Sequence, residues 1–153
     1  MPRAEAHRRR RCLPGPEAAG EPHLPSPRDA GHDVFAVNPN AAEVEGVRAY
    51  AAVSSIPERV DGVVVVTTPE VSRDIVADCA AAGVPRVWLH RGLGPGSVSQ
   101  EAIAVGREHG ISVIPGGCPN MFGATSDPGH VCLRAMLRAT GKLPRRIDRS
   151  VAP

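Results

Sequence analysis

The chain is poor in aromatic residues: Phe, Trp and Tyr make up 3% of 153 residues, against 42% hydrophobic residues overall. Its core must therefore consist mainly of Val, Ile, Leu and Ala, which favours α/β layering over an aromatic-rich β-sandwich. No apolar run approaches the ~20 residues of a membrane-spanning helix. No secretory signal precedes the cysteines Cys12, Cys79, Cys118 and Cys132, and no CxxC pair occurs among them. Reduced thiols in a cytoplasmic protein are the expectation. A formal charge of +2 is too small to imply a nucleic-acid partner by itself. The chain also lacks a GxGxxG loop and an acidic residue after the second strand, so a catalytic dehydrogenase reading fails. No internal repeat is present. The length fits one domain able to bury a real core.

What is present centres on Asp61–Gly92, DGVVVVTTPEVSRDIVADCAAAGVPRVWLHRG. Val63–Val66 is a β-branched run without polar alternation, as expected of a parallel strand buried on both faces. Thr68 then reads as a helix N-cap, Pro69 as the first helical residue and Glu70 as a negative charge in the first turn. Val71, Ile75 and Cys79 recur at helical spacing, and Gly83 suits a left-handed residue past the helix end. Val87–His90 supplies the next strand and completes a right-handed βαβ unit. Such units bind ligands outside the carboxyl ends of their strands, here at Thr67–Thr68 and His90–Gly92.

The remaining chain extends this alternation. Val34–Val37 reads as a strand ending at Asn38-Pro39-Asn40, and Val47–Tyr50 as a short extended segment. Ser97 and Gln100 form a capping-box pattern for a helix running to His109 and closed by Gly110. Ile111–Ile114 is a further strand, broken by Pro115-Gly116-Gly117. Asp127 and Pro128 open a last helix with Val131, Cys132, Ala135, Met136 and Ala139 on its inner face, stopped by Gly141 and Pro144. The alternation predicts a three-layer α/β domain with a parallel sheet. Residues 1 to about 28 differ: rich in Pro, Arg, Ala, Glu and Gly, they predict a disordered or aberrant leader. A dinucleotide-type fold needs a first strand in the middle of its sheet, and nothing before Asp33 reads as one.

The combination VNPN, IPERVDGVVV and VWLHRG, within GHDVFAVNPN through EHGISVIPGGCPNMF, resembles the small CoA-binding domain proteins. These are stand-alone relatives of the CoA-binding domain of the succinyl-CoA synthetase alpha subunit. The resemblance covers about Asp29 to Phe122 and implies a Rossmann-like sheet with helices on both faces, binding coenzyme A or an acyl-CoA without catalysis. It implies cofactor contact by Asn38, Pro39 and Asn40 at the nucleotide end. Thr67, Thr68 and Pro69 would lie along the cofactor, and Leu89, His90 and Gly92 at the end of the following strand. The family also begins with a hydrophobic strand and a Gly-Ser-type loop for the pyrophosphate, where this chain has its Arg/Pro-rich leader. That departure predicts a truncated or frameshifted N-terminus, a missing first strand, marginal stability and impaired binding. The division implied is a leader over 1–28, a CoA-binding domain over 29–126 and a C-terminal helix with a basic tail over 127–153.

Other readings stay open beside this one. Cys118, His130 and Cys132 carry zinc-ligand chemistry without a fourth ligand, so no metal is expected. Cys118, in a glycine-rich turn, is a candidate reactive thiol, whereas Cys132 fits an apolar helix face. Trp88 is expected to pack in the core against a helix. An acyl-CoA ligase fragment would need a phosphorylatable His, for which His90 and His130 are the ordered candidates. The clusters Arg8–Arg11 and Arg134, Arg138, Lys142, Arg145 and Arg146 would suit a basic nucleic-acid interaction protein; the bland alternative is a solvated face. Neither nucleic acid nor a membrane is the expected partner, and a homodimer is left open.

Overall fold

A computed structural model of the chain describes residues 11–14, 32–44, 46–92, 94–121, 128–141 and 143. Its strands are β1 (Arg11–Pro14), β2 (Val34–Val37), β3 (Glu43–Val44), β4 (Val47–Tyr50), β5 (Gly62–Val65), β6 (Arg86–Leu89) and β7 (Ser112–Pro115). The helices are α1 (Pro69–Ala81), α2 (Gln100–Glu108) and α3 (Pro128–Ala139). The sheet order is β3-β4-β2-β1-β5-β6-β7. Every pairing is parallel except β3 with β4. This is the Rossmann-like α/β fold.

One expectation is overturned. The central slot is not empty, because Arg11–Pro14 fills it, pairing with β2 along Arg11↔Val34 to Pro14↔Val37 and with β5 at Arg11↔Gly62 and Cys12↔Val63. Proline is excluded from the interior of a central strand, but Pro14 is the last residue of β1, where the missing N–H interrupts no onward ladder. The rest of the leader, the Gly-Ser-type loop position included, lies outside the described residues.

The β-branched run places β5 where both faces are covered. Val63 and Val65 join the main core with Val76 and Cys79 of α1 and Ala102 and Ile103 of α2. Val64 points to the opposite face and is also buried, as the strand alternation requires. Helix α2 sits close on β7: a Cβ on Gly106 would run into the Val113 side chain.

The glycine-marked helix ends follow the predicted punctuation, the predicted Asp127 cap and Pro144 stop of α3 lie outside the described residues, and two buried faces differ from expectation. Gly83 and Gly110 both take left-handed φ, +67° and +69°, just past α1 and α2. On α1 the fully buried residues are Ser72, Val76 and Cys79, while Val71 is 48% exposed. On α3 the expected inner residues Val131, Cys132, Ala135, Met136 and Ala139 are all exposed. Its inward side instead brings Leu137, with Leu133, onto Cys118, Met121 and Leu143. Arg134, on the same helix, is half-buried and donates to the Met121 carbonyl at 2.8 Å, so it is not part of a solvated basic face; Arg138 is exposed. Lys142, Arg145 and Arg146 lie outside the described residues.

The central pairing of β1 generates a direct test. Leu13→Pro removes a backbone donor inside β1 and leaves a sheet carbonyl unpaired, which costs about 1–3 kcal/mol when buried. Urea denaturation should show that loss, and an unchanged midpoint would mean that β1 does not carry the sheet.

Candidate functional site

Parallel pairing brings the carboxyl ends of the strands to one edge, and short hydrogen bonds join them there. The Asn38 N–H donates to the Tyr50 carbonyl at 2.8 Å, His90 to Val65 at 2.9 Å, and Gly116 to Leu89 at 2.9 Å. The chain leaves β1 for β2 on one side and returns to β5 on the other, so the reversal point lies at the β1 end. Open α/β sheets bind ligands at such reversal points. The Asn38 and Thr67 turns follow β2 and β5, the two strands flanking β1, and stand about 10 Å apart by ordinary strand spacing.

The predicted site residues divide by what they can offer. Asn38 closes an Asx-turn by accepting the Asn40 N–H on Oδ1 at 2.9 Å, and Pro39 and Asn40 are exposed. Thr67 is half-buried, Thr68 exposed and Pro69 half-buried at the start of α1. Thr68 has the extended backbone of an N-cap, but its side chain makes no capping bond to the helix amides. Hydrogen bonds from Thr68 and from its own amide hold the Glu70 carboxyl below the usual range. That leaves a negative charge at neutral pH in the first turn of α1. Leu89 is fully buried, whereas His90 and Gly92, one strand further from the reversal point, are half-buried.

The structure brings in residues that sequence reasoning missed. Ser97 does not cap α2; it is fully buried, and its hydroxyl accepts the Thr67 N–H at 2.7 Å and donates to the Thr67 carbonyl at 2.8 Å. The N-cap is Ser99, whose Oγ accepts the Ala102 N–H at 3.2 Å and donates to Glu101 at 2.6 Å. The S-x-x-Q spacing misled because Gly-Ser-Val-Ser offers two serines, and Glu101 in the first turn was the better signal. Trp88 alternates away from the main core, and its indole N–H reaches the carbonyls of Gly116 and Gly117 at 3.0 and 3.1 Å. It braces the turn after β7. On α1, Asp78 accepts from the Val53 N–H at 2.6 Å and from the Ser54 hydroxyl at 2.5 Å, capping the 3-10 turn Val53–Ser55.

The thiols change places relative to expectation. Cys118 is 3% exposed, in the small apolar cluster under α3, so it does not present a reactive sulfur to solvent. Burial, reinforced by the Asp78 charge, pushes the Cys79 thiol well up and away from the reactive thiolate. Cys132, expected inside, is exposed. None of these three cysteines is in a disulfide, and no group of three or more His, Cys, Asp or Glu positioned to hold a metal ion occurs among the described residues.

Comparison with known families settles the lineage. The family described as the CoA binding domain matches residues 14–136. The chain belongs to the CoA binding domain family. Solved structures agree in fold. A hypothetical protein from Pyrococcus horikoshii OT3 is 25% identical, with a TM-score of 0.58 over 69% of this chain and 75% of that one. A Thermus thermophilus protein designated ID.343 is 28% identical, with a TM-score of 0.51 over 66% of this chain and 78% of that one. A conserved hypothetical protein from Pyrococcus furiosus is 24% identical, with a TM-score of 0.53 over 69% and 90% of the two chains. Among the described residues of this CoA binding domain protein, no helix is long and apolar enough to cross a membrane.

The cysteine placements can be checked by alkylation and peptide mapping. In the native protein Cys132 should be modified by iodoacetamide while Cys79 and Cys118 stay blocked until denaturant is added. Native modification of Cys118 at the rate of Cys132 would contradict its burial beneath α3.

Proposed function

We propose that this chain binds coenzyme A or an acyl-CoA at the carboxyl ends of β2 and β5, without catalysing a reaction on it. The observation that carries the reading is the family match over residues 14–136, together with the Asn38 and Thr67 turns on the two strands that flank β1. The nucleotide end lies along Asn38, Pro39 and Asn40, and the cofactor passes Thr67, Thr68 and Pro69. His90 and Gly92 border the far side. Leu89, being buried, supports that border from beneath. Asn38 stands where a dehydrogenase carries its ribose-binding acid, which favours CoA over NAD.

Binding is impaired relative to a family member with a glycine-rich phosphate loop. After β1 this chain reads GPEAAGEP, with proline and glutamate around its glycines. Glu70 adds a carboxylate at the helix start, where it competes with a phosphate for the same positive potential. A cytoplasmic setting, where cysteines stay reduced, goes with this reading.

Isothermal titration with CoA, acetyl-CoA and NAD tests the reading: the CoA compounds should bind and NAD should not. Placement is tested by charge at the helix start. Thr68→Glu should weaken CoA binding by about three- to tenfold and Glu70→Gln should strengthen it by about twofold, the size of a terminal charge–dipole effect. Equal affinity across wild type and both variants would move the site away from α1.

A further inference from the structure

The buried polar side chains among the described residues are Ser72, Ser97 and Ser99. Ser99 is accounted for as the α2 cap. The other two converge on a single turn. Ser97 bonds both the N–H and the carbonyl of Thr67. Ser72 donates to the Thr68 carbonyl at 3.1 Å and stands 3.3 Å from the Thr67 hydroxyl, which itself donates to the Thr68 carbonyl at 3.1 Å. A buried hydroxyl is tolerated when it is bonded, so its placement reports where the fold needs a fixed peptide.

The Ser97 contact has a specific geometry. The parallel ladder between β5 and β6 ends with the His90 N–H on the Val65 carbonyl. Beyond it, the Ser97 side chain takes the place of a further strand residue, satisfying both polar groups of Thr67. The main chain delivers it there: the Ser97 N–H donates to the His90 carbonyl at 2.7 Å. Gly96, at φ +60°, allows the return, since a Cβ there would collide with the His90 carbonyl and the Arg91 Cα. One residue of the connection after β6 thus fixes the ends of β5 and β6 together.

We propose that Ser97 is a positioning residue for ligand binding, holding the Thr67 peptide plane so that the Thr67–Thr68–Pro69 turn keeps the shape the cofactor meets. This rests on the CoA reading above. The Thr67 amide is used inside the protein, so the turn offers the ligand its Thr68 side and the Thr67 side chain rather than that N–H. Ser97 reaches the β5 end from the connection after β6, on the side of β5 away from β1, β2 and the Asn38 turn.

The test uses the full chain with Ser97→Ala, the near-isosteric Ser97→Cys, and Ile103→Val as a core-destabilised control outside the turn. Affinity is measured by calorimetry for CoA and for adenosine 3′,5′-bisphosphate, which represents the end held by the Asn38 turn. Exchange of the Thr67 amide is followed by NMR. Both Ser97 variants should lose Thr67 protection and weaken CoA binding by about tenfold, while the bisphosphate changes by less than about twofold. Ile103→Val should lower the melting temperature with both affinities intact. An unprotected Thr67 amide in the wild-type protein overturns the clamp itself. Unchanged CoA affinity in both Ser97 variants, or equal weakening of both ligands, overturns the positioning role while leaving the CoA reading in place. A wild-type chain that binds no CoA overturns that reading, and this one with it.

Discussion

Strands β2 and β5 share one sheet only through the strand between them. The pairing of Arg11–Pro14 with both makes β2 and β5 neighbours of a common centre and sets the reversal point of the fold at the β1 end. It also joins the β3-β4-β2 side to the β5-β6-β7 side by continuous backbone hydrogen bonding. Without it, buried donors and acceptors would be left on both flanking strands, each costing about 1–3 kcal/mol against a typical net stability of about 5–15 kcal/mol. That four residues suffice follows from the register: the ladder needs backbone groups in phase, and RCLP supplies them up to the point where proline ends the donors.

Around that centre, the site edge is built largely by side chains that complete backbone ladders. Ser97 serves Thr67, Trp88 serves the Gly116–Gly117 carbonyls, and Asn38 serves Asn40. Each spends a polar side chain on holding a turn at a strand end, where a continuing strand would have supplied backbone partners. The β5–β6 and β6–β7 ends are tied in this way, and the β2 and β5 turns flank β1. Glu70 places a carboxylate in the first turn of α1, and its lowered titration keeps it charged except in acid.

Helical stripes show how far residue periodicity reaches. In α1 the apolar spacing Val71, Ile75, Cys79 and the buried set Ser72, Val76, Cys79 differ by one position over most of the helix. Apolarity could not choose between them, because Ser72 is buried through a hydrogen bond to the Thr68 carbonyl, not through hydrophobicity. Helix α3 carries apolar residues on more than one side, and its partner decides which side faces inward. Leu137 meets Cys118, Met121 and Leu143, leaving Val131 and Met136 at the surface.

The sequence by itself determined the βαβ alternation, the strands at Val34, Val63 and Val87, the helix ends at Gly83 and Gly110, and the turns Asn38–Asn40 and Thr67–Pro69. These are local consequences of β-branched runs, left-handed glycines and turn-forming Asn, Thr and Pro, readable without knowledge of neighbours. Its family motifs, too, are local strings. Only the tertiary structure decided that Arg11–Pro14 is the central strand, because a short segment with little apolar pattern is recruited by backbone pairing on both sides. It alone decided that Ser97 clamps Thr67 while Ser99 caps α2, since residues 30 positions apart meet only once β5 and β6 are side by side. The burial of Cys118 and the exposure of Cys132 were likewise settled by where α3 docks, a packing outcome that no spacing of cysteines encodes.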